Sequence, residues 1–151
     1  MREGFRDEPA ATGFTPAWLD IAFMERGVSR YGPGESNPRI AEYNNTTQLA
    51  GYDDKISWCS SFLNWCMKQS GISGTGSALA RSWLSWGNPL DAPRYGCVAV
   101  LTADDAVEWK GHVGFFIRSD ADNVYLFGGN QLGEVRELAY PLERVLAYRW
   151  P

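Results

Sequence analysis

The spacing of hydrophobic positions changes character partway along the chain. Up to about residue 90 they recur near every 3.6 residues, and from Tyr95 onward they fall in short alternating or continuous runs separated by turn residues. In the first part, Thr15 followed by Pro16 predicts a capped helix start, with Trp18, Ile21 and Ala22 on its apolar side and Gly27 past its end. A weaker helical spacing over Arg39–Asn44 follows a cap at Ser36 or Asn37. The strongest pattern places Cys59, Phe62, Leu63 and Cys66 at i, i+3, i+4 and i+7, with Asp54 and Ser57 as candidate caps, Lys68 in the last turn and Gly71 beyond it. A short helix over residues 78–86, closed by Gly87, completes this half. The second half predicts strands at Cys97–Leu101, His112–Ile117, Val124–Phe127, Glu134–Leu138 and Val145–Trp150. Helices first and antiparallel strands second is an α+β layout, and no strand–helix–strand alternation calls for a parallel sheet.

Length and composition narrow this picture. At 151 residues the chain has room for one core, and its 44% hydrophobic content is that of a packed globular domain. Residues 1–14 are polar and punctuated by Gly4, Pro9 and Gly13, so they read as a flexible arm before a single domain at 15–151. No apolar run is long enough for membrane insertion. The net charge of −4, with its basic residues scattered, argues against a nucleic-acid partner. The odd count of three cysteines and the lack of an apolar stretch near Met1 predict synthesis in a reducing cytoplasm without a signal peptide.

The candidate chemistry centres on Cys59. A thiol in the first turn of a helix faces the free N–H groups and the positive end of the macrodipole, and both favour thiolate. The only histidine, His112, opens an apolar strand and shares a face with Gly114 and Phe116, so any imidazole chemistry belongs to it. Asn130, at the end of Phe127-Gly128-Gly129-Asn130-Gln131, is of a type suited to orient that ring, and Gln131 or an acidic residue is the substitute in that role. Three cysteines and a histidine match a tetrahedral metal site in number but not in spacing, since Cys59 and Cys66 lie two helical turns apart and Cys97 sits in an apolar strand; no metal is expected. The Gly/Ser-rich turn before residue 78 lacks the Gly-Lys-Ser/Thr ending of a phosphate loop.

Four ordered blocks carry a family resemblance: Trp-Cys-Ser-Ser-Phe-Leu-Asn-Trp-Cys, Gly-Ser-Ala-Leu-Ala-Arg-Ser-Trp, Gly-His-Val-Gly-Phe-Phe and Leu-Phe-Gly-Gly-Asn-Gln. Together they resemble the papain-like peptidoglycan hydrolases of the NlpC and CHAP type. The resemblance implies a papain-like fold in which N-terminal helices, the nucleophile helix central among them, pack on an antiparallel sheet. It further implies Cys59 as nucleophile, His112 as general base and Asn130 as third member, with no cofactor. The chain departs from the family where Gly96-Cys97 replaces a common Gly-Asp and where Gly128 stands in place of a glutamate. The backbone N–H of Cys59 is the natural oxyanion donor, helped by Gln48, with Trp58, Trp83 and Trp86 as cleft walls and Gln131 at its edge. The implied substrate is the stem peptide of peptidoglycan. A wall hydrolase without an export signal would need a holin system or a contact-dependent secretion machine, the latter with an immunity protein, to act in the periplasm or cell wall. The alternative is a catalytically inactive wall- or protein-binding module on the same fold.

Overall fold

A computed structural model describes residues 14–151. Helix α1 spans Ala17–Met24, α2 Pro38–Asn44 and α3 Cys59–Gln69, followed by a 3-10 turn at Ala80–Ser85. The strands are β1 Asn88–Leu90, β2 Val98–Thr102, β3 Gly111–Ser119, β4 Asn123–Gln131, β5 Glu134–Pro141 and β6 Val145–Trp150. They form a six-stranded sheet ordered β1-β6-β2-β3-β4-β5, antiparallel throughout. The α+β order read from the sequence is therefore the observed one. The expected arm over 1–14 lies, apart from Phe14, outside the described residues.

The alternation along the strands is used on both faces. Val98, Val100, Val113, Phe115 and Phe127 pack with Phe62, Leu63, Cys66 and Met67 of α3 and with Trp18, Leu19 and Ala22 of α1. The intervening residues Cys97, Ala99, Leu101, Phe116, Val124 and Leu126 form a second cluster on the other face, covered by Tyr140, Leu142, Val145 and Tyr148. Burying each large apolar side chain stabilises by about 1.5–3 kcal/mol, so α3 is held by its apolar stripe rather than by its termini.

Those termini differ from the sequence expectation. Pro16 occupies the position before α1, with its carbonyl accepting from Leu19 and Asp20, so Thr15 does not cap the helix. Asn37 does cap α2, accepting from the Arg39 N–H. Neither Asp54 nor Ser57 caps α3, whose N-cap residue Trp58 makes no side-chain cap. Asp54 is instead fully buried, accepting from the N–H groups of Tyr31 and Asn37 and pairing with Lys55 Nζ at 2.6 Å. A carboxylate with three such donors is better satisfied there than on a helix terminus, and it clamps the 29–37 segment to the loop that leads into α3. The short edge strand β1, which includes Pro89, has no counterpart in the hydrophobic pattern; proline is tolerated there because an edge residue need not donate to a neighbour.

Candidate active site

The ladder between β3 and β4 stops at Phe115↔Phe127. Beyond it the residues of β4 pair only with β5, through a bulge between Gly128 and Gln131. The first turn of α3 is seated at this parting of the strands. A Cβ on Gly129 would lie 2.7 Å from both Phe62 Cβ and Trp58 Cζ3, so only glycine lets the strand pass so close to the helix. Behind the same turn, Ser60 donates to Ser77 O at 2.6 Å and accepts from Trp83 Nε1 at 2.8 Å, while Asn64 donates to Ser77 O and accepts from the Gly76 N–H. The helix N-terminus is thus fixed from two sides.

Cys59 is the first residue of α3, with its side chain 2% exposed in the α3-side core. His112 belongs to the opposite face, beside Leu101 and Gly114, and meets the thiol where the strands part. Burial opposes ionisation of the thiol. The charge and hydrogen bond of His112, with the Val113 N–H and the Ser57 hydroxyl, outweigh it and hold the thiol below its ordinary pKa. Burial likewise opposes a charged imidazole, but Cys59 and Gln131 overcome it, so the His112 pKa is raised. The two shifts favour the same state, thiolate beside imidazolium. The other thiols behave oppositely: burial raises Cys66 well above its ordinary value and pushes Cys97 up to about 12.

The group on the far ring nitrogen is Gln131. Its Oε1 lies 2.9 Å from His112 Nε2, and its Nε2 donates to Leu126 O at 3.1 Å and to Arg136 O at 2.6 Å. Two carbonyls holding the amide nitrogen settle which way the amide faces, and an oxygen facing His112 Nε2 requires a proton on that nitrogen. Nδ1 is left as the nitrogen that exchanges a proton with the thiol. Asn130 does not take this place: its Nδ2 donates to Ser57 Oγ at 3.4 Å, and its backbone has φ of 56°. The correction has a physical cause. Simple alternation from Leu126 through Gly128 would put residue 130 on the His112 face, and the bulge passes that position to residue 131.

Other expectations are also revised. Trp58 is fully buried against Tyr43 and Trp83 backs the first turn of α3, so both are core rather than cleft walls. Gln48 accepts from the Ala78 N–H at 2.8 Å through Oε1. Its neighbour Thr47 shares a hydrogen bond with Ser61, and Ser77 accepts from Ser60, so Gln48 is anchored beside the start of α3 with its amide N–H groups still to be used. Two residues were missed from the sequence. Ser57 Oγ lies 3.9 Å from Cys59 Sγ, and Tyr140 Oη lies 3.0 Å from His112 Nε2. The cleft beside the imidazole, about 350 Å³, is lined by His112, Asn130, Gln131, Leu132, Tyr140 and Asp104, among others.

A cysteine at the start of a helix, paired with a histidine on an antiparallel sheet and an amide behind it, is the arrangement of the papain-like fold. The chain belongs to the CHAP domain family, whose model matches residues 51–130, more than half of the chain. Domains of this family are typically cysteine- and histidine-dependent amidohydrolases, which assigns the chain a peptidoglycan amidase or peptidase type of function. No curated protein matches the sequence.

Proposed function

We propose that the protein is a cysteine hydrolase that cleaves an amide bond in the stem peptide of peptidoglycan, with Cys59 as nucleophile and His112 as acid–base. The observation that carries this reading is the Cys59 thiol at the start of α3 set against the single imidazole, whose tautomer is set by Gln131, with the lowered pKa of the thiol in keeping. His112 Nδ1 takes the thiol proton, and the sulfur attacks the scissile carbonyl to form a C–S bond. The resulting oxyanion faces the first N–H groups of α3, which have no partner within the helix, and the amide N–H groups of Gln48. As the tetrahedral centre collapses, the C–N bond breaks and the imidazolium gives its proton to the leaving amine. Water, deprotonated by His112, then adds to the thioester carbonyl and releases the carboxylic acid and the thiol. Gln131 keeps the ring in register without moving a proton.

Digestion of purified sacculi, followed by mass spectrometry of the fragments, tests this reading. New amine and carboxylate termini within the stem peptide, or at its junction with the sugar, are expected from the parent protein and none from Cys59→Ala. Intact sacculi with the parent protein would overturn it.

We further propose that the enzyme acts as a phage lysin or an injected antibacterial effector, released by a holin or met by an immunity protein. Both roles require the substrate to lie across the cytoplasmic membrane from the site of synthesis. Expression in the cytoplasm of a Gram-negative host should be harmless, whereas the same chain directed to the periplasm should lyse it. Equal toxicity in both compartments would point to another target.

A further inference from the structure

Tyr140 is not part of the Cys–His–amide arrangement, yet it stands at its centre. It lies on β5, separated from β3 by the whole of β4, and its ring lies 5.0 Å from the His112 ring at an interplanar angle of 35°. Its hydroxyl is as close to His112 Nε2 as the amide oxygen of Gln131 is, at 3.0 Å against 2.9 Å. Because Gln131 requires the proton on Nε2, the phenol oxygen is a second acceptor for that N–H, and the phenol's own hydrogen turns away from the ring. Both groups line the cleft.

We propose that Tyr140 is a positioning residue of the Cys59–His112 unit, sharing the His112 Nε2–H with Gln131 and so stabilising the imidazolium. The inference rests on the cysteine-hydrolase reading for its role in turnover, but not for its geometry. Its chemistry is that of two neutral acceptors replacing the carboxylate that could otherwise face an imidazolium. Burial raises the Tyr140 pKa, the nearby Cys59 and Asp104 add to this and Arg144 opposes it, so the phenol keeps its proton. Arg144 stacks over the Tyr140 ring at 5.3 Å and is tied to Thr102 O and Asp104. Its charge acts on His112 against protonation, which makes neutral acceptors at Nε2 more consequential.

The test is Tyr140→Phe, which keeps the ring and removes only the hydroxyl. As His112 is the only histidine, its imidazole resonances can be followed by NMR without ambiguity. In the variant, the pH midpoint of the ring should fall by about one pH unit, a tenfold loss in the protonation constant. The rate of iodoacetamide labelling of Cys59 at pH 6 should fall with it, and kcat/KM on sacculi should drop about tenfold with thermal stability unchanged. In the Gln131→Ala background, the same substitution should cause a different change in the midpoint, because both groups act on one N–H. Unchanged imidazole and labelling profiles in a folded Tyr140→Phe protein would overturn the proposal. The NMR readout needs no substrate, so a protein inactive on sacculi with a shifted midpoint would sink the wall-hydrolase reading and leave this one standing.

Discussion

The Gln131 side chain joins three strands: its amide oxygen meets His112 on β3, and its amide nitrogen holds Leu126 O on β4 and Arg136 O on β5. Gln131→Ala should therefore lower kcat/KM by about a hundredfold while orphaning two carbonyls, whereas Asn130→Ala should cost a few-fold at most. Gln131→Glu is not conservative, since a carboxylate would place an oxygen against those two carbonyls. It should destabilise the fold by about 1–3 kcal/mol in thermal denaturation. Iodoacetamide should react rapidly with one cysteine well below the ordinary thiol pKa of about 8.5. Substituting Ser for Cys66 or Cys97 should leave that reaction intact. The residue types of Cys59 and His112 were legible because a helix start and a sole imidazole are visible in a sequence. Gln131 was legible only as a substitute in the orienting role, because a bulge that changes strand parity leaves no mark beyond the Gly-Gly pair itself. Leu132 shows the same limit. It has φ of 55° in the two-residue turn before Gly133, is 73% exposed and lines the cleft, although the turn favours Asn or Gly. Leu132→Asn should raise stability by about 1 kcal/mol, and an accompanying rise in KM would show that the leucine side chain contacts substrate.

At the scale of elements, α3 owes its position to contacts outside the helix. The Asp54 carboxylate fixes the loop before it, and hydrogen bonds to the folded-state carboxylate hold its pKa low despite burial. A depressed carboxyl contributes stability above the unfolded value near 3.9 and loses that contribution as pH falls through the folded value. The parent protein should accordingly lose stability below about pH 4, and Asp54→Ala, less stable by about 3 kcal/mol at pH 7, should show a shallower acid limb in thermal melts. Gly129→Ala tests the opposite side of the helix. The added methyl would force Phe62 and Trp58 apart, costing about 1–3 kcal/mol and disturbing the Cys59–His112 contact. The three α-helices and strands β2 to β6 were legible in the hydrophobic period, whereas β1 was not and the helix expected over 78–86 is a 3-10 turn. The Asn37 cap of α2 was legible too, but the cap of α3 was not, because Asp54 has a better use through residues 31 and 37 that are distant in sequence.

For the molecule as a whole, the α-then-β order was legible because each half keeps its own period, but the strand order was not. It places β6, the last strand in sequence, between β1 and β2 in the interior of the sheet. Removing residues 145–151 should therefore abolish cooperative unfolding and activity, rather than fray an edge, as circular dichroism melts would show. The thiol, the imidazole and the two groups behind it also appear in sequence order, at residues 59, 112, 131 and 140. On the ribosome, the thiol emerges long before the imidazole, and the imidazole before the two groups at its Nε2. The sheet itself is complete only once β6 pairs with β2 and β1. On the cysteine-hydrolase reading proposed above, nascent and truncated chains should be inactive, so that hydrolytic power would reside only in finished molecules.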